Sequence, residues 1–358
     1  MRTGVIAALL TATVVALSWP SRPGRAHPEL VGDALDAYAA EKGTTDPEQL
    51  KDHLKYELRP VFLSPTSNVH ETMTAGAFDI SGILGRSFDV GQDIGYIKGV
   101  YWNDSPERGL CAWCSTIDAN QGAFTWYKRF KAAQRLATDP ANPKFFTHGD
   151  PVFERSHYGD LAVIHAMAVK NGIPARETRR RAMTWAEFTY KVASGAISET
   201  TKVRDVGVAG FEYFFNSADA ELYDQPLTAL FKDTDVKANA LGSLLHLVQD
   251  SYSAAHVERE VLDESESRFC RTGVRRFLSY PNQVVKKHSA ADKWPTNLFS
   301  GAMPDGARVC DPLRAGAAVL KLYKTGKDWP TVAAFLNATV FNLLDPDAVS
   351  GPGQDFSP

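Results

Sequence analysis

The segment Asp235 to His256 constrains this fold more than any other stretch of the chain. Read at 3.6 residues per turn, Leu241, Leu244, Leu245, Val248 and Tyr252 share one apolar face. Between Ala240 and Val248 the only polar side chains are Ser243 and His246. A helix apolar nearly all round is buried. An imidazole or carboxylate inside it needs partners, because burial without them is costly. His246 and Asp250 stand four apart and project from the same face. Imidazole nitrogen and carboxylate oxygen are both good zinc ligands. Asp233 or Asp235 caps the helix start. Gly242, one turn before His246, is expected to leave space beside the imidazole.

A helical ion pair would account for His246 and Asp250 alone. It does not account for His256, six residues beyond Asp250, or for His288 and Asp292, which repeat the His-x3-Asp spacing. Two such pairs joined by a further His point to metal binding.

Helical patterns dominate the rest, and strand signals are sparse. Helices are expected over 27–42, 47–58, 68–80, 117–136, 158–172, 175–194, 203–216, 235–256, 278–292, 312–325 and 330–343. Pro140, Pro143 and Pro151 make 137–156 a long loop, and 262–277 reads as irregular. No repeat and no linker is evident. The expectation is an all-α chain with one compact domain over 27–346 and an irregular tail over 347–358.

Arg2 followed by an apolar run from Gly4 to Leu17 reads as an export signal, too short to span a bilayer comfortably. Cleavage after Ser18 or after Ala26 fits, leaving Trp19 or His27 first. The protein is therefore expected to be secreted or periplasmic. Cys111, Cys114, Cys270 and Cys310 then favour two disulfides of open pairing, with a thiolate metal site starting at Cys111-x2-Cys114 as the alternative. A formal net charge of −3 argues against a large basic nucleic-acid footprint. The run Arg179 to Arg181, with Arg176 before it, reads as a solvated face.

Leu241 to His256 (LGSLLHLVQDSYSAAH) resembles the ligand helix of the bacterial zinc-dependent phospholipase C superfamily, which includes fungal single-strand-specific zinc nucleases. That family carries His-x3-Asp-x5-His followed by His-x3-Glu or His-x3-Asp. Upstream, Gly99 to Asp104 (GVYWND) resembles the segment ending in a zinc-binding Asp, and His70 to Ala77 (HETMTAGA) the early helix with a zinc-binding His. The resemblance spans about residues 68–295.

It implies two to three zinc ions. Asp104, an intermediate His, His246 and Asp250 would hold one; His256, His288 and Asp292 a second; His70 and a bridging Asp250 a third. The intermediate His is open among His148, His157 and His165. His157, just before a helix, is preferred; His148 is next, and His165, on an apolar face, reads as core. Family members complete the third site with an N-terminal Trp, but His70 follows Trp19 by 51 residues, a longer lead than theirs.

By resemblance the activity is zinc-dependent hydrolysis of phospholipid headgroup phosphodiesters by a metal-activated water, with Asp104 as ligand and proton acceptor and Asp250 as bridge. A membrane surface or phospholipid is then the partner. A single-strand nuclease with the same metals is the alternative, and a non-catalytic zinc-binding secreted protein is the reading from another class. Glu258, Glu260 and Asp160 are candidates to orient imidazoles, though solvated carboxylates are the plainer reading. Tyr101, Trp102, Phe153 and Tyr158 are read as core rather than pocket.

Overall fold

A computed structural model describes residues 69–89, 91–106, 128–263, 271–291 and 312–357. The export segment, all four cysteines, Trp19, His27 and Asp292 lie outside the described residues. The first helices are α1 (Val69–Ser81), α2 (Ile94–Asp104), α3 (Val152–Tyr158) and α4 (Ala175–Ala193). After the short α5 (Ala220–Tyr223) and α6 (Leu227–Phe231) comes α7 (Val236–Asp250). A hairpin of β1 (Val257–Asp263) and β2 (Arg271–Phe277) separates α7 from α8 (Val285–Ala291), α9 (Pro312–Lys324) and α10 (Trp329–Phe335).

The protein is largely helical and not all-α, since β1 and β2 pair antiparallel with Val257 opposite Phe277. Alternation explains the hairpin. Val257, Val274 and Phe277 are buried, while Glu258 and Glu260 pair with Arg276 and Arg275 on the outer side. Those two glutamates therefore orient no imidazole.

Helix α7 starts where Asp235 accepts a hydrogen bond from the Ala238 amide. It stops at Asp250, short of His256. Its end is held by Arg259, whose guanidinium donates to the Ser251 carbonyl at 2.6 Å. That places a cation at the negative end of the helix dipole. The turn after Ser251 carries His256 back beneath Asp250.

Helices α2 and α7 cross with almost no side-chain layer between them. A Cβ on Gly99 would sit 2.0 Å from the Asn239 carbonyl oxygen, and one on Gly242 would sit 2.2 Å from that of Tyr96. Gly242 thus admits the backbone of α2 rather than opening space beside His246. This approach brings Asp104, at the end of α2, against α7. Gly242→Ala is expected to lose about 3 kcal/mol, the upper end of overpacking costs, as backbone cannot rotate aside. A denaturant midpoint equal to the parent's would contradict this contact.

On the far side α7 packs on α4 around an aromatic core, where Trp102 stacks on Trp185 with ring centroids 5.3 Å apart. Trp185 Nε1 donates to Ser243 Oγ, and Ser243 donates to Asn103 Oδ1 at 2.6 Å. The sequence's 203–216 helix is two short 3-10 turns, interrupted at Gly207 and Gly210, both in the left-handed region. The expected 158–172 helix reduces to the 3-10 turn Ala162–His165, ended by Ala166 at φ 53°. The stretch 347–357 is irregular, yet Phe356 is buried.

Candidate metal centre

Asp104, His165, His246 and Asp250 converge in the buried space between α2, α7 and the 162–165 turn. His246 Nε2 lies 2.8 Å from Asp250 Oδ2, 3.2 Å from His165 Nδ1 and 3.8 Å from Asp104 Oδ1. His165 Nδ1 is also 2.9 Å from Asp250 Oδ2. From α1, His70 places Nε2 3.3 Å from the other carboxylate oxygen of Asp250, and its ring stacks on His246 at 4.0 Å. Asp250 therefore has one oxygen toward His70 and one toward His165 and His246, the disposition a bridging carboxylate requires. Two triads have donor atoms within 4.8 Å of one another: His70, His246 and Asp250; and Asp104, His165 and His246.

A second group lies beside the first. His256 Nε2 faces His288 Nε2 at 3.2 Å. His256 Nδ1 is 3.7 Å from Asp250 Oδ1, which links the two groups. Asp292, expected beside His288, is outside the described residues.

Hydrogen bonds on the outer ring nitrogens test whether a cation fits. A carbonyl can only accept, so the 3.1 Å bond from His165 Nε2 to the Asn103 carbonyl leaves Nδ1 as a bare acceptor. It faces His246 Nε2, Asp250 and Asp104. His256 Nδ1 likewise donates to the His165 carbonyl at 2.8 Å. His288 Nδ1 meets Gln283 Oε1. His256 and His288 thus turn two lone pairs toward each other, which a shared cation resolves. His70 Nδ1 meets Gln249 Oε1 at 2.9 Å, turning its Nε2 lone pair toward a carboxylate. His246 is the exception, since its Nδ1 is buried with no hydrogen-bond partner among the described residues. The stacked His70 ring holds it by packing instead. Buried imidazole and carboxylate donors of this kind could hold a metal ion.

Electrostatics also favour a cation there. Burial lowers the proton affinity of His165 and His246 against the opposing pull of Asp250. Burial alone would raise that of Asp250; the surrounding imidazoles outweigh it and hold the carboxyl well below its usual range. Neutral imidazoles around an ionised carboxylate form a ligand set with spare negative charge.

His157, preferred in the sequence as the intermediate ligand, lies outside both triads. Its Nδ1 is 3.0 Å from the Phe153 carbonyl, and its ring centre is 5.6 Å from that of His165. It lines a cleft above the cluster with Asp104, Met167, His256, Tyr280 and His288. Burial, then the neighbouring His165, lowers its pKa to about 3. His148 is further away, hydrogen-bonded to Asp219 at 2.8 Å. His165 takes the position the sequence left open. A buried imidazole needs a partner in Ala162–Ala168 as much as in α7, and that need is the sequence signal for His165. Asp160 accepts from Arg155 rather than orienting an imidazole. Trp102, Phe153 and Tyr158 are core residues, as read.

No match was found. That holds for family models, curated proteins and solved structures alike.

The depressed imidazoles have a consequence for stability. In the unfolded chain His157, His165 and His246 take up protons near the ordinary value of about 6.5, whereas the folded chain resists. Stability of metal-free protein is thus fully present above that value and lost as pH falls, through to about 3 for His157. The melting temperature in excess chelator is expected to fall steadily from pH 7 to pH 4.5; a flat profile would contradict the burial of neutral imidazoles.

Proposed function

We propose that this protein is an exported zinc-dependent phosphodiesterase, acting first on phospholipid headgroup esters. The observation that carries the proposal is the convergence of His70, Asp104, His165, His246 and Asp250 beside the facing pair His256 and His288. Phosphodiester chemistry comes from the resemblance of the Leu241–His256 segment to zinc-dependent phospholipase C. Zinc would be held by His70 and Asp250, by Asp104, His165, His246 and Asp250, and by His256 and His288. Zinc in such sites supplies acidified water near neutral pH and neutralises charge on phosphoryl oxygens.

The chain's own residues supply the rest. Asp104 lines the cleft and accepts the proton of the attacking water. Asp250 fixes the separation of the two sides of the site. Burial of the triads excludes bulk water and strengthens their hold on charge. Met167 and Tyr280 give the cleft an apolar wall suited to the glycerol end of a lipid. Among the described residues no helix is long and apolar enough to cross a membrane.

The test is hydrolysis of phosphatidylcholine and of single-stranded DNA by zinc-loaded protein, side by side. Release of phosphocholine with little DNA cleavage is expected. Preferential DNA cleavage would reassign the substrate to nucleic acid, and inactivity on both with zinc bound would leave a non-catalytic zinc protein.

A further inference from the structure

Gln283 touches both sides of the His256–His288 pair. It lies in the turn before α8. Its Nε2 donates to two carbonyls, Ala255 at 2.9 Å and Pro352 at 2.8 Å. Carbonyls only accept, so the amide orientation is fixed, and Oε1 is the atom that meets His288 Nδ1. One amide thus ties together the residue before His256, the ring of His288 and the segment 351–357.

That segment grips the same stretch elsewhere. The Ser279 amide donates to the Gly351 carbonyl at 2.9 Å and the Val284 amide to the Phe356 carbonyl at 2.7 Å. Lys287 Nζ donates to the Ser357 carbonyl at 2.6 Å. Phe356 is buried in the same small core as Ala255, Leu278 and Tyr280. Segment 351–357 therefore closes over the backbone that carries His288, although it contributes no ligand of its own.

We infer that Gln283, clamped by segment 351–357, is the positioning residue that sets metal affinity at the His256–His288 pair. It fixes the His288 tautomer with the proton on Nδ1 and aims Nε2 at His256. The inference rests on the metal reading above. Partners that orient a ligating imidazole typically change metal affinity by about 10–100-fold when removed. Gln283 is neutral, whereas a carboxylate is the common partner at such positions. Gln283→Glu keeps the acceptor toward His288 and adds charge, but it loses the donor that holds the Ala255 and Pro352 carbonyls.

The experiment is chelator competition on full-length protein loaded with Co(II), read by the visible absorption of each bound ion, with circular dichroism as the fold control. Gln283→Ala is expected to weaken one class of bound ion by about 10–100-fold and leave the others unchanged. Gln283→Glu is expected to weaken that class by less than Gln283→Ala does, since the acceptor toward His288 remains while the bonds to Ala255 and Pro352 are lost. Phe356→Ala, which loosens the clamp without touching Gln283, should weaken the same class by a smaller factor and serves if Gln283→Ala does not fold. Parental affinity in both Gln283→Ala and Phe356→Ala would overturn the inference, as would equal weakening of every ion. Failure of the parent protein itself to bind metal would instead sink the metal reading.

Discussion

Asp250→Asn is expected to lower hydrolysis by about 100- to 1000-fold, the scale of losing a preorganised charge-stabilising group, and to lower zinc content with it. The amide preserves volume and can still hydrogen-bond. It removes the charge shared between His70 on one side and His165 and His246 on the other. If Asp250 were only the partner of a buried structural pair, the change would cost about 3–5 kcal/mol of stability and leave the activity of the folded fraction intact. Turnover, zinc content and melting temperature measured on one preparation separate these outcomes. A folded variant with full zinc and undiminished turnover would contradict the bridging role.

The second large effect falls on folding. Arg155 is fully buried. Its Nε donates to Asp160 and its Nη1 to Asp219, both at 2.7 Å, and Nη2 donates to the Phe214 carbonyl at 2.6 Å. His148 bonds the second oxygen of Asp219. Arg155→Met would leave two carboxylates without their cation, at a cost of about 3–5 kcal/mol. Arg155→Lys keeps the charge but not the fork, so it should recover only part of the loss. Adding Asp219→Asn to Arg155→Met should also recover part, because it removes one orphaned charge. Chemical denaturation reads all three. Zinc content of the folded fraction should stay at the parental level, since none of these residues belongs to the triads.

The contrast between these clusters shows what was legible in the sequence. Helix α7 was readable because its apolar face and its polar residues follow one period, and α1, α4 and α9 fell close to their expected bounds for the same reason. Helix α2 was not. Gly95 and Gly99 lower helix propensity, yet Gly99 lets α2 lie against the backbone of α7 and Gly95 clears the Asp235 and Ala238 side chains. The feature that hides the helix is thus the feature that places Asp104. The hairpin was masked by charges at Glu258, Glu260, Arg275 and Arg276, which pair only across strands.

Of the candidate site, His246, Asp250, His256 and His288 were singled out by spacing, and His70 and Asp104 only by the family resemblance; all six lie near one another. His165 was obscured by its apolar neighbours in Ala162–Ala168. Its place depends on a left-handed Ala166 and on the Asn103 carbonyl, neither of which a linear pattern reveals. The network of Arg155 and Asp160 reaches Asp219, 64 residues from Arg155 in the chain, and only the fold assembles it.

The central claim is that the two groups of imidazoles and carboxylates exist to hold metal. Elemental analysis of protein purified, reconstituted with zinc and passed through a desalting column tests it most directly. At least two zinc ions per chain are predicted, falling in Asp250→Asn and unchanged in Arg155→Lys. Zero or substoichiometric zinc in the folded parent protein would contradict the account.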